Sequence, residues 1–221
     1  MCLSVPQQER ARATRAAILH AAAEVFDERG YGSTSLDVVA DTAGVTKGAL
    51  YFHFPSKAAL ADAVIAEQHR LARAYADRVS AVAGSCAEAI VLSCASLATQ
   101  LTREVTITAG IRLTTEVPDR ALTVAPPYLD WLDQMGRLIR GAVDEGAFRA
   151  DLDVDAATHL LVGAYTGVQT LSGATTGRAD VFERLAQLLS VLLPWMAAPG
   201  SEGLTTSLVA LVRPTDLPSA P

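Results

Sequence analysis

Thr46, Lys47 and Gly48 line up a hydroxyl, an ammonium and an unencumbered backbone N–H, and Tyr51 and His53 add further donors just beyond them. Hydrogen-bond donation is the chemistry these groups share. Donors at the start of a helix, on side chains short enough for the backbone to come close, suit the phosphates and base edges of a DNA major groove. The flanking residues supply that helix. Ser35 is placed to cap Leu36 to Ala43, Gly44 can take the left-handed conformation that ends a helix, Thr46 can cap the next one, and Phe54-Pro55 discourages continuation. The spacing predicts a helix-turn-helix whose second helix reads DNA.

Other chemistries find little support. No GxSxG, P-loop, GxGxxG or HExxH pattern occurs, and His20, His53, His69 and His159 lack metal-ligand spacing. An enzyme, including one carrying a vestigial DNA module, has no catalytic residues to use, and neither cofactor nor metal is expected. Cys2, Cys86 and Cys94 make neither a disulfide framework nor a metal quartet. Cys86 and Cys94 share a helix face, where packing is the plain reading and a redox switch the alternative.

A net charge of -6 and a pI near 5.2 sit badly with a polyanionic partner until the charge is located. Residues 7–57 carry six basic and six acidic residues, so the remainder holds the whole deficit. Only two lysines occur, Lys47 and Lys57, and both flank the proposed reading helix. Acidic bulk behind a locally basic face would orient the chain on DNA and weaken nonspecific adhesion. Half the residues are hydrophobic and the mean hydropathy is +0.26. Even so, no apolar run reaches the roughly 18 residues that suggest a membrane span. The stretch MCLSVPQQERARATR has no secretory h-region, so a cytoplasmic, mostly helical chain is expected.

Over roughly residues 10 to 66, ILHAAAEVFDERGYGSTS, DVVADTAGVTKGALYFHFPSK and AALADAVIAE resemble the DNA-binding domain of the TetR family of one-component repressors. The resemblance implies an all-α protein: an N-terminal three-helix domain over 7–66 and a helical ligand-binding and dimerisation domain over 67–196. It also implies that Thr46, Lys47 and Gly48 sit closest to bases while Ser35, Tyr51, His53 and Lys57 hold phosphates. Arg12 and Arg15 precede the apolar stripe Ile18, Ala22, Val25 and Phe26, free to reach the backbone or a minor groove, or simply solvated.

Ser56 is placed to cap a long helix from Lys57 to about Ala81, with Leu60, Val64 and Leu71 inward. It is either a rod that carries a displacement, with Gln68 roughly 16 Å beyond Lys57, or a plain connector. Helices are expected over 87–100, 105–115 and 128–145, with a loop at 118–127. Two more follow, one capped by Asp155 over 156–170 and one capped by Asp180 over 181–196 and interrupted by Pro194. LLVGAYTGV and LAQLLSVLL make the last two apolar on more than one face. Such helices need cover on every side, which predicts a homodimer across a four-helix bundle. That arrangement would set two reading helices about 34 to 36 Å apart on an inverted repeat. From 197 on, Gly, Ser, Thr and Pro predict a mobile tail.

AGIRLTTE, PPYLDW, EGAFRADLDVDA and VGAYTGVQTLS resemble the γ-butyrolactone receptor subgroup, with its butenolide and furan-carboxylate relatives, and the QQER start and PPYLDW lean toward the furan-type receptors. In that subgroup the position of Trp131 lines the pocket for a diffusible signalling molecule and Gln68 faces it. Ala164 stands where lactone receptors carry a threonine, with Tyr165 and Thr166 alongside. An amphiphilic ligand wants an apolar, aromatic-lined cavity with a few polar groups, which Trp131, Tyr165, Thr166 and Gln169 offer. Arg112 either pairs with a ligand carboxylate or is a surface or interdomain ion-pair partner, and Trp131 is either pocket wall or core. The resemblance implies a repressor released by its ligand that controls antibiotic biosynthesis genes. A receptor answering to a finished antibiotic is the alternative.

Overall fold

The computed structural model describes residues 5–116 and 126–215, which form ten helices and no strand. They fall into two compact units, one made of residues up to Leu71 with the segment from Glu104, the other of Ala72–Arg103 with the segment from Pro126.

The first unit starts with α1 (Val5–Ser33), whose Ile18, Ala22, Val25 and Phe26 are buried as the apolar period requires. Gly30 interrupts it with φ 76° and ψ 171°, a conformation that a side chain would strain. Then come α2 (Leu36–Thr42) and α3 (Lys47–His53). Ser35 Oγ accepts from the Val38 N–H at 3.3 Å and Thr46 Oγ1 from the Ala49 N–H at 3.2 Å, so both predicted caps form. Between them Gly44 turns the chain at φ 65°, and Phe54 leaves α3 in extended conformation before Pro55. Val39 and Ala40 of α2 and Leu50 of α3 pack on α1 and on Leu60 and Val64 of α4 (Lys57–Val82).

α5 (Cys86–Arg103) belongs to the second unit, but α6 (Val105–Glu116) belongs to the first. Ala109 and Leu113 of α6 are fully buried in the first core. Gly110 makes this possible: a Cβ there would lie 2.4 Å from the Gln68 Cβ, so α4 and α6 approach as closely as they do only because it is absent. By its packing α6 thus groups with residues up to Leu71.

The second unit is α5 with α7 (Pro126–Asp144), α8 (Val154–Thr176), α9 (Val181–Met196) and α10 (Glu202–Val209). Cys94, Met135, Ile139, Leu161, Leu185 and Leu189 meet in its core. α8 and α9 also expose Leu160, Leu171, Val191 and Trp195, the second apolar face anticipated for a dimer.

Four expectations are corrected. α7 begins at Pro126, inside the segment expected to be a loop, because proline at a first helical position lacks only an N–H that would be unpaired anyway; residues 117–125 lie outside the described residues. α8 starts two residues early, capped by Asp153, whose carboxylate accepts from the Ala156 N–H at 3.0 Å. Asp180 stands at the start of α9 without capping it. Its carboxylate takes the hydroxyls of Ser172 and Thr176 and the Arg184 guanidinium at 2.6 to 2.9 Å, which holds it far below the usual carboxylate range.

Residues 197–215, finally, do not form a loose tail. α10 places Leu208 in the core with Leu204, Val209, Leu211 and Val212 against it, and Thr215 donates through N–H and hydroxyl to Thr99 Oγ1 at 3.0 and 3.2 Å. Leu208→Ala is expected to lower unfolding free energy by about 2 to 4 kcal/mol in a urea titration. A loose tail would leave the midpoint unmoved.

Candidate DNA interface and ligand site

The corner presents its donors outward. Leu50 is fully buried beneath α3, while Thr46, Lys47, Gly48 and Tyr51 face solvent. A Cβ added at Gly48 would meet nothing nearer than the Thr46 hydroxyl at 4.0 Å, so the tip is open for close approach. Ser35 and Thr46 cap their helices through oxygens and keep their hydroxyl protons to donate. Lys47 Nζ lies 2.7 Å from Asp37 Oδ2 on the first turn of α2, and that carboxylate raises the ammonium above its ordinary pKa. The half-buried His53 ring packs edge-on against Phe52 with centroids 5.1 Å apart. Arg15 lays its guanidinium 5.1 Å from the centroid of Phe54, and Arg12 is exposed.

Lys57, expected at the phosphates, is held by backbone carbonyls in this structure. Its ammonium donates to the carbonyls of Tyr31 at 2.7 Å, Thr34 at 2.9 Å and Gly32 at 3.3 Å and sits 4.5 Å from the centre of the Tyr31 ring. All three of its donors are engaged, so it closes the end of α1 and has no N–H left for a phosphate.

Arg112 is engaged within the first unit. Its guanidinium donates to the Asp27 carbonyl and to Glu116, whose carboxylate accepts the Tyr31 N–H at 2.8 Å, which ties α6 to the end of α1. Gln68 is 5% exposed, also in the first unit, and its carbonyl oxygen has no partner.

Trp131, Tyr165, Thr166 and Gln169 all belong to the second unit. Trp131 meets Tyr165 edge-on with centroids 5.3 Å apart. Tyr165 is fully buried and donates to the Cys94 carbonyl at 3.1 Å, and burial holds its hydroxyl well above the ordinary phenol range. Gln169, one turn along α8, donates to Thr170 at 3.0 Å and keeps its buried carbonyl oxygen unpaired. Thr166 gives its proton to the Val162 carbonyl of its own helix at 2.8 Å. Gln100 on α5 repeats the pattern of Gln169: 3% exposed, bonded to Ser96 at one end and open at the other.

Cys86 and Cys94 are chemically quiet. The Glu145 carboxylate beside Cys86 raises its thiol to about 11, and burial raises Cys94 to about 12. Among the described residues, no cluster of three or more His, Cys, Asp or Glu could hold a metal ion, and no helix is long and apolar enough to cross a membrane.

Residues 18–64 match the family described as bacterial regulatory proteins, tetR family, and residues 84–197 match the tetracyclin repressor-like C-terminal domain. The chain belongs to the TetR family. The A-factor receptor protein of Streptomyces griseus is 34% identical over 194 residues, which is 88% of this chain and 67% of that protein. A solved gamma-butyrolactone receptor described as ArpA-like gives a TM-score of 0.77 at 34% identity, covering 92% of this chain and 98% of its own. CprB of Streptomyces coelicolor, solved with its biological operator sequence, gives 0.76 at 33% identity over 91% of this chain and 96% of its own.

Three residues of this TetR-family chain escaped the sequence reading. Phe52 is 81% exposed on α3, and its signal was available: at 100° per residue it points away from buried Leu50. Asp37 gave none, because its partner is ten residues off on another helix. Gln100 follows the apolar run of α5 at a buried register between Leu97 and Leu101, where a polar amide was a usable sign. The altered role of Lys57 has a direct consequence. Lys57→Met removes a charged donor from three carbonyls and should lower stability by about 2 kcal/mol. A urea midpoint unchanged from wild type, with weakened DNA binding, would return Lys57 to the phosphates.

Proposed function

We propose that this chain is a homodimeric transcriptional repressor that holds an inverted-repeat operator through α3 and releases it when a small diffusible signalling molecule enters the second unit. One observation carries the DNA assignment. Thr46, Lys47, Gly48 and Tyr51 all face outward over a Leu50 that is fully buried, so the tip is rigidly based and chemically open. Phosphate contacts from Ser35, Tyr51, His53 and the α1 arginines would set the register, while the start of α3 would read base edges.

For the ligand, Trp131 and Tyr165 supply aromatic surface, and Gln169 and Gln100 each leave one end of a buried amide unsatisfied. Leaving such a group unpaired costs about 1 to 3 kcal/mol, which a polar ligand head would recover. Arg112 is engaged with Asp27 and Glu116, while the Arg178 guanidinium acts on the buried Tyr165 hydroxyl and keeps a buried Nε without a partner, so a lactone, a butenolide and a furan carboxylate all find chemistry to meet them. Control of antibiotic biosynthesis genes remains part of the proposal, by likeness to the receptors above. The signal shifts occupancy only by its preference for the conformation that does not bind DNA, and coupling of about 1 to 3 kcal/mol would change operator affinity about 5- to 150-fold.

Two variants separate the halves of this mechanism. Lys47→Ala should lose specific operator binding in a fluorescence-anisotropy titration while remaining dimeric and able to bind ligand; wild-type operator affinity in it would remove α3 from the interface. Trp131→Ala should bind operator normally and resist release by a γ-butyrolactone or butenolide at concentrations that free the wild type. Unaltered release would place the ligand elsewhere.

A further inference from the structure

Lys47 does not stand alone at the tip. Its ammonium is 2.7 Å from Asp37, and Asp41 lies one turn further along the same face of α2 and also attracts it. Both members of the pair are more than half exposed, so the contact adds little to folding. Its position is what matters. An unpaired ammonium at the tip would bind any phosphate, and phosphate affinity is independent of sequence. The same ammonium held by Asp37 uses one of its three N–H donors on the carboxylate and keeps two, while the local charge is cancelled. Guanine presents two acceptors, N7 and O6, on its major-groove edge, which match those two donors, whereas a phosphate meets a neutral pair with a carboxylate beside it.

We propose that Asp37 is a positioning residue for DNA reading: it aims Lys47 at base-edge acceptors and suppresses its use as a general phosphate anchor, so that it sets the ratio of operator to nonspecific affinity.

This rests on Lys47 lying in the DNA interface, and the test keeps the two ideas apart. Full-length wild type, Asp37→Asn, Asp37→Glu and Lys47→Ala are titrated against an operator duplex from upstream of the chain's own gene and against a scrambled duplex, from 50 to 200 mM salt. Asp37→Asn should bind the scrambled duplex more tightly and lower the operator-to-scrambled ratio by about tenfold. Its plot of log affinity against log salt should be steeper by about 0.9, the value of one extra phosphate neutralised, or roughly 3.5-fold more affinity lost across that range. Asp37→Glu should restore the wild-type slope. The inference is overturned if Asp37→Asn leaves ratio and slope unchanged, or if it weakens both duplexes equally at constant slope, as a merely structural residue would. If Lys47→Ala itself keeps operator affinity, the underlying DNA assignment fails first.

Discussion

The last turn of α1 ends in backbone carbonyls that α1 itself cannot satisfy, and the first unit is built around answering them. Gly30 breaks the helix, and the carbonyls of Asp27, Tyr31 and Gly32, with that of Thr34 just beyond, take side-chain donors from other helices. Lys57 at the start of α4 supplies three of those bonds and Arg112 on α6 the fourth, while Glu116 takes the Tyr31 N–H. A Cβ at Gly30 would fall 2.6 Å from the Glu116 carboxylate and 2.7 Å from the Arg112 guanidinium, so only glycine permits the knot. Three helices are thereby fixed at one point, and Ser35 opens α2 one residue after the last of those carbonyls. The orientation of the reading corner is inherited from this junction.

The two units handle buried polarity differently. In the first, apart from the Gln68 carbonyl oxygen, the charged and polar groups behind the corner are closed off by partners. In the second, Ser93, Gln100 and Gln169 each keep a buried oxygen without one. An unsatisfied buried group is tolerated in a native fold when something else can complete it, which is why the second unit reads as a receptor and the first as a tool.

What could be read from the sequence was whatever is decided within a few residues. Ser35, Gly44, Thr46 and the Phe54-Pro55 step act locally, and all four behave as their residue types demand. The bonds of Lys57 and Arg112 to carbonyls 26 and 85 residues away left no trace in the sequence, because a carbonyl carries no residue-type signature, whereas the Arg112–Glu116 pair is local. The cap of α8 failed for a smaller reason: Asp153 and Asp155 are equally good oxygens two residues apart, and the fold decided between them. In the C-terminal segment, turn-forming residues hid Leu204 and Leu208, one helical turn apart and both packed on the second core. Trp131, Tyr165 and Gln169 could be named as candidates from residue type and resemblance, whereas Gln100 could not, since being unpaired is a property of surroundings.

The chain has two tryptophans, and they occupy unlike environments. Trp131 is half-buried against the Tyr165 ring, while Trp195 is 40% exposed on an apolar face with the Arg149 guanidinium 5.8 Å from its ring centre. Indole emission shifts to shorter wavelength as its surroundings dry out. The molecule thus contains two intrinsic optical probes, one reporting on the packing around Tyr165 and one on burial of the outer face, which replacement of either indole by phenylalanine would resolve without an added dye.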